Sequence, residues 1–266
     1  MVEDKYPKEL LCELYAPGRR LFEFVVALRN VPSALSKASA VLGGLRINIL
    51  SGFHAALPTE KEAKWSFFAD LTDKAKPEDV AEALNRLDVV TDVKFSEAQL
   101  PGLIVDELHF PLLVLDERAV VFSVDSLAAV FRHLREITGP GVATVLLHQM
   151  GHQSGETEAK RVQERFHLAG EEAFKVILAE RVSKGWGVPR MEEYDAEKRR
   201  VTVTVTDLLE CLPLKGTMTE PASHFFRGYL EGALGVLMQT RLQVREVECV
   251  AKGDNRCTFA ATMLPT

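Results

Sequence analysis

The spacing of apolar positions changes several times along the 266-residue chain, and the changes mark its elements. Leu21–Arg29 is a dense apolar and β-branched run interrupted by Glu23, which predicts a strand. Val31-Pro32-Ser33 ends it, and Pro32 suits the first turn of a helix over residues 34–42 that Gly43-Gly44 closes. Residues 46–56 and 64–72 predict two more strands joined by a polar loop. Residues 77–87 carry Val80, Ala83, Leu84 and Leu87 at helical spacing, and residues 89–95 give a fourth strand. The order is βαββαβ, two short helices on one face of a small antiparallel sheet. Residues 1–20, polar and containing Pro7 and a turn at Ala16-Pro17-Gly18, read as a lead-in arm. Leu100-Pro101-Gly102 punctuates the chain after the fourth strand, which puts a domain over residues 21–100 and a second over 105–266.

In the second domain, residues 110–115 and 119–123 predict short strands around an Asp116-Glu117-Arg118 turn. Asp125 or Ser126 is expected to cap a helix over 127–138. After Gly139-Pro140-Gly141, a helix over 142–150 continues its pattern through Gly151 and Gly155. Residues 157–183 are charged on one side and apolar on the other, with Phe166, Ala169, Ala173, Val176 and Ile177 inward, as one long helix or two shorter ones. Trp186 falls in a loop between Gly185 and Gly187, and Arg200–Thr206 alternates valine with threonine, the clearest strand in the chain. Residues 223–235 form an apolar helix with Gly228, Gly232 and Gly235 along one side. Each glycine costs a helix about 1 kcal/mol relative to alanine, so a neighbouring element or a ligand must approach that backbone closely. A strand, the turn Lys252-Gly253-Asp254-Asn255 and another strand follow, with Cys249 and Cys257 at the two sides of the turn.

Composition narrows the classes. The formal charge is -6, and the chain before Ile104 holds 13 basic and 15 acidic residues, so neither half is a basic module suited to nucleic acid. No apolar run is long enough to span a membrane, and the acidic start does not read as a secretory signal. Four cysteines, Cys12 and Cys211 isolated from the other two, fit a reducing compartment, and a soluble cytoplasmic protein is expected.

The run Gly228-Tyr229-x-x-Gly232, then Glu246-x-x-Cys249 and Gly253-Asp254-x-x-Cys257, resembles the end of the 4-vinyl reductase domain. That family includes sensor domains of aromatic-responsive bacterial regulators and archaeal proteins classed as hydrocarbon-binding. The resemblance extends back to about Leu108, through residues 118–122 and the Gly151/Gly155 pair. It implies an α+β ligand-binding domain. The βαββαβ segment, with Leu28-Arg29-Asn30-Val31-Pro32-Ser33 followed by Arg46-Ile47-Asn48-Ile49-Leu50, looks like an ACT domain, a ferredoxin-like module, over residues 20–98. That resemblance implies dimerisation and an amino acid bound at the strand-to-helix turn, where Ser33 takes the place usually held by glycine.

The sharpest chemical candidate is zinc. Thiolates are soft ligands suited to it, and one turn presents Cys249 and Cys257. The family resemblance adds Glu246 and a fourth position occupied here by Ser223, with His224 beside it or Cys211 upstream as substitutes; simple alternation sets Glu246 and Cys249 on opposite faces unless the strand is bulged. The bland reading is two buried cysteines packed as small apolar residues. The second candidate is an apolar pocket for a hydrophobic or aromatic small molecule, lined by Phe131, Leu147, His148, Trp186, Phe225, Phe226 and Tyr229, against the alternative that these are ordinary core.

Catalytic signatures are weaker. His148 and His152 lie four apart without the intervening glutamate of a zinc protease, and neither a phosphate-binding loop nor a dinucleotide fingerprint is present, so no nucleotide or redox cofactor is expected. The reading is a homodimeric sensor whose first domain dimerises or takes a second ligand. The alternatives are an enzyme acting on an aromatic or tetrapyrrole substrate and a lipid-binding assembly module.

Overall fold

The computed structural model describes residues 5–10, 12–114 and 116–263. The first four residues of the lead-in arm, and Leu115 at the end of a candidate strand, lie outside the described residues. The chain divides into two compact units, Met1–Val120 and Val121–Thr266.

In the first unit, β1 (Glu13–Tyr15) precedes β2 (Leu21–Arg29), α1 (Ala34–Gly44), β3 (Asn48–Ala55), β4 (Glu62–Asp70), α2 (Pro77–Asn85), β5 (Val90–Glu97) and β6 (Leu103–Val105). The βαββαβ order is realised as an antiparallel sheet β3-β4-β2-β5. One set of alternate residues, including Phe22, Phe24, Val26 and Leu28, packs against Ala38 and Leu42 of α1 and Val80 and Leu84 of α2. Ser33 enters α1 with φ 70, a left-handed conformation that costs a residue with a Cβ about 1–2 kcal/mol and explains why glycine suits such a turn.

The opposite face of the sheet is also covered. Leu21 and Phe68 meet Ile104 of β6, and β6 pairs antiparallel with β1. The arm is thus part of the unit, and Leu100-Pro101-Gly102 is a turn inside it rather than its end. The division falls later, between Val120 and Val121, because β6 closes back on β1 and the segment beyond reaches His109, which bonds Ser66 of β4. Glu23 points to this second face and is 2% exposed. Burial, with the hydrogen bond and charge of Asp106, pushes its carboxyl up to about 8. A short ribbon, β7 (Leu113–Val114) with β8 (Glu117–Arg118), ends the unit; residues 119–123, expected as a strand, are not one.

The second unit contains α3 (Val124–Thr138), α4 (Pro140–Phe166), α5 (Gly170–Ser183), β9 (Val188–Asp195), β10 (Arg200–Thr206), α6 (His224–Met238), β11 (Leu242–Glu248) and β12 (Cys257–Met263). Ser123, not Asp125 or Ser126, caps α3 by accepting the Ser126 N–H. The amphipathic stretch 157–183 is divided: its first part completes the 27-residue α4, His167 ends that helix at φ 54, and α5 begins at Gly170. The strands form an antiparallel sheet β11-β12-β10-β9. Val201, Val203 and Val205 turn their side chains into a core shared with Phe226, Tyr229, Leu230 and Ala233 of α6.

The visitor to the glycine side of α6 is α4. A Cβ built at Gly151 would overlap the carbonyl oxygen of Phe225, and one at Gly155 that of Tyr229. Reciprocally, a Cβ at Gly228 would overlap the His148 carbonyl oxygen and one at Gly232 that of His152. The two backbones are in direct contact over two turns, a spacing at which Cα–H groups face carbonyl oxygens. Gly235 lies outside this contact. The start of α6 is held by Glu210, which is fully buried and accepts the Phe225 and Phe226 N–H groups at 3.0 Å each. Burial pushes Glu210 up to about 7 against those bonds and the charge of Arg135.

Gly151→Ala and Gly228→Ala are each expected to lower the stability of this unit by about 1–3 kcal/mol, because neither backbone can yield. Gly43→Ala, in α1 with open space around its Cβ, is expected to raise the stability of its own unit by about 0.4–1 kcal/mol. Urea unfolding of the three variants measures both; a neutral Gly151→Ala disproves the contact.

Candidate functional site

The thiol-rich corner is assembled from four separate pieces of chain. Cys211 sits in the loop after β10, Ser223 precedes the first residue of α6, Glu246 lies on β11, and Cys249 and Cys257 bracket a short 3-10 turn at Val250–Lys252. A bulge makes the convergence possible. The pairing of β11 with β12 shifts between Glu246 and Glu248, so Val247 is the extra residue and turns outward at 54% exposure. That shift removes the expected opposition of Glu246 and Cys249. Beyond it the backbone tightens, with Cys249 N–H donating to Asp254 Oδ2 at 2.7 Å and Val250 N–H directed at Cys257 Sγ at 3.4 Å.

One ligand atom from each of Cys211, Glu246, Cys249 and Cys257 lies within 4.8 Å of the others. The three thiols are fully buried. Cys211 Sγ is 3.5 Å from Cys249 Sγ and 2.7 Å from Ser223 Oγ. Ser223 donates to Glu246 twice, from its hydroxyl at 2.7 Å and its N–H at 3.0 Å. Hydrogen bonds from Cys211 and Cys257 pull the Cys249 thiol well below its usual range, and the bond with Cys249 raises Cys211. Burial pushes Glu246 up to about 8 although Ser223 opposes it. Three soft sulfurs and one carboxylate in a dry corner suit zinc, and Ser223, by holding the carboxylate, acts as an orienting neighbour.

His224 does not join this group. Its Nε2 meets Thr144 Oγ1 of α4 at 3.1 Å, and burial, with Arg227 and Arg135 nearby, lowers it to about 4. Of the two substitutes for the fourth position, Cys211 and not His224 stands with Glu246, Cys249 and Cys257. The isolation of Cys211 in the sequence hides this; its proximity depends on the β10–α6 connection folding back under α6.

The aromatic residues gather in the same unit. Phe131 of α3, Phe225 of α6 and Trp186 are joined in a chain of ring contacts, 5.9 Å from Phe131 to Phe225 and 5.5 Å from Phe225 to Trp186. Trp186 continues to Tyr229 at 5.1 Å, and Leu147 and Leu209 fill the space beside Phe131. The Arg181 guanidinium lies over both the Trp186 and Tyr229 rings, at 4.4 and 4.8 Å. Nothing in the sequence singles out Arg181, which is one charge among many on an amphipathic stretch. It is 3% exposed and paired with Glu158 of α4. Burial raises the Tyr229 hydroxyl, and its oxygen is buried without a hydrogen-bond partner.

His148 stands apart from these rings. It approaches Glu231 at 3.5 Å in a cleft of about 290 Å³ lined also by Thr144, Gln149, Arg227 and Gln243. His152 faces Glu156 instead, so the two histidines do not converge on one point.

Residues 203–263 match the 4-vinyl reductase domain family. No curated protein matches the chain. Among solved structures, the phenol-responsive sensory domain of the transcription activator PoxR with phenol is similar at TM-score 0.51 and 18% identity, covering 56% of this chain and 78% of that one. A vinyl-4-reductase family protein from Methanocaldococcus jannaschii matches at TM-score 0.34 and 17% identity over 56% of this chain and 100% of that one. A trafficking protein particle complex subunit 3 from Naegleria fowleri, covalently bound to palmitic acid, matches at TM-score 0.38 and 13% identity over 53% of this chain and 95% of that one. The glycine-bearing helix α6 and the strands that build the thiol corner therefore lie within the stretch that matches the 4-vinyl reductase domain, which runs from Val203 to Met263.

Proposed function

We propose that the second unit is a small-molecule sensor for a hydrophobic or aromatic ligand held among Phe131, Trp186, Phe225 and Tyr229. The observation that carries this is the Tyr229 hydroxyl, fully buried beside aromatic rings with no partner for its oxygen or proton. An unsatisfied buried hydroxyl costs about 1–3 kcal/mol, which a phenolic or other hydroxylated ring would recover by bonding to it. PoxR's sensory domain is phenol-responsive, which makes phenol the natural first probe. Trp186, half-buried between Gly185 and Gly187, supplies one wall.

Zinc is the second part of the proposal. Cys211, Cys249, Cys257 and Glu246 would hold it, and it would supply a structural cross-link between the 3-10 turn, β12 and the loop entering α6. The corner and the rings share one helix, since Ser223 precedes the residue that starts α6, and Phe225 follows it within the first turn. Held there, zinc would fix the end of the helix that presents the rings.

A homodimer is the third part. Val142, Val145, Leu146 and Met150 are exposed on α4, and Val130 and Ile137 on α3. Exposed apolar side chains in such number are favourable to cover, and a second copy carries the same ones.

Calorimetric titration of the full chain with phenol is expected to saturate at one per chain. Phe225→Ala and Trp186→Ala are expected to weaken it by about 10–100-fold with unchanged circular dichroism, the loss of a buried aromatic contact. Unchanged affinity in both variants, or no heat with phenol, cresol or catechol, rejects the pocket.

Elemental analysis of protein purified without chelator is expected to give one zinc per chain, retained in His224→Ala and lost in Cys211→Ser and Cys249→Ser. Zinc-free native protein returns the cysteines to the role of core residues. Light scattering is expected to give a dimer mass that Leu146→Glu shifts to monomer; a monomeric native chain removes the third part.

A further inference from the structure

We propose a second cation site, in the first unit, where Glu23, Asp106 and His109 bind a divalent metal ion of the manganese and iron class. These three residues come from β2 and from the segment after β6, and one ligand atom from each lies within 4.8 Å of the others. They are separate from the thiol corner in sequence and belong to a different compact unit.

The geometry around the imidazole is directional. His109 Nε2 meets Ser66 Oγ of β4 at 2.7 Å; in the tautomer that carries its proton on Nε2 the serine accepts that N–H, and Nδ1 is then the coordinating nitrogen. Nδ1 faces Asp106 Oδ1 at 2.9 Å, Asp106 Oδ2 at 3.0 Å and Glu23 Oε1 at 3.1 Å. Two ligand atoms each about 2.1 Å from a cation lie about 3.0 Å apart when they occupy neighbouring octahedral positions. The imidazole-to-carboxylate separations match that spacing. The edge of Phe53, 5.1 Å between ring centroids, limits the ring's rotation.

An independent observation points to a missing ligand. The Glu23 side chain is 3% exposed, and its Oε2 has no hydrogen-bond partner although it is buried beside the group. A buried carboxylate oxygen without a partner is costly, and a cation satisfies it together with the adjacent Asp106. Asp106 and His109 are 22% and 24% exposed, so the other side of the site is open to water that would complete the coordination. One nitrogen and two carboxylates favour the harder first-row ions over the softer ones that thiolates select. Bound there, the ion would fasten residues 106–109 to the sheet face opposite α1 and α2.

The test is electron paramagnetic resonance of Mn²⁺ titrated into the full chain, since manganese discriminates against thiolates. One bound Mn²⁺ per chain is expected, with affinity at least about tenfold weaker in Glu23→Gln and in His109→Ala, and unchanged in Cys249→Ser. Glu23→Gln preserves shape, so it reports even where His109→Ala unfolds the segment. Absence of bound Mn²⁺, or binding that survives both substitutions, overturns the proposal. So does a Glu23→Gln variant that gains the same thermal stability with and without Mn²⁺, which would show that a proton alone occupies the space.

Discussion

The contact of α4 with α6 is the constraint on which the rest of the second unit depends. Four glycines, two on each helix, let the Cα of one helix sit against carbonyl oxygens of the other where side chains normally stand. Leucine ridges pack helices at about 8–10 Å, and removing the Cβ atoms brings the axes closer still. The glycines cost each helix intrinsic stability, and the return is a fixed mutual register. With α4 fixed, the residues of α6 between and beside the glycines have defined positions. Phe225 and Tyr229 turn toward Trp186, while Phe226 turns to Phe259 of the sheet.

The same helix connects the rings to the thiol corner. Glu210 accepts the N–H groups of Phe225 and Phe226, and the next residue, Cys211, enters the corner. A buried carboxylate at a helix N-terminus is favoured by the helix dipole and by the hydrogen bonds themselves, while burial opposes its charge. A displacement of the first turn of α6 is thereby felt at Glu210, at Ser223 and at the carboxylate of Glu246 that Ser223 holds. The corner and Phe225 consequently lie at the same end of α6.

Much of this order is legible in the sequence where local pattern and fold agree. The valine-threonine alternation of β10 persists with all three valines in the core, and the helical spacing of α2 persists with Val80 and Leu84 buried. The glycines of α6 signal a close neighbour, although not which one; Gly151 and Gly155 continue a helix pattern without revealing that they face Gly228 and Gly232. What stays hidden depends on long-range packing. The bulge at Val247 has no local signature, and without it Glu246 and Cys249 belong to opposite faces. Cys211 reaches the site only through the folded β10–α6 connection, so the sequence leaves it and the adjacent His224 as equal alternatives. Likewise β6 is three residues whose strand character exists only by pairing with β1.

Arg181 shows how a charge can become part of an aromatic site. Burial by itself would push Glu158 up, but hydrogen bonds from Arg161 and Lys184 and the charge of Arg181 hold it well below the usual carboxylate range. Glu180 pairs with the same cations from α5. The network joins α4 to α5 and holds the Arg181 guanidinium over two rings, where its face is attracted to their π electrons. A Tyr229 hydroxyl left without a partner stands next to that charge, so a ligand that arrives with a hydroxyl or carboxylate meets a polarised, water-poor wall. The packing contact between glycines positions the rings, and the ion network sets the polarity they present; in the proposed sensor, affinity for an aromatic molecule would need both, because shape alone would accept any apolar group of similar size.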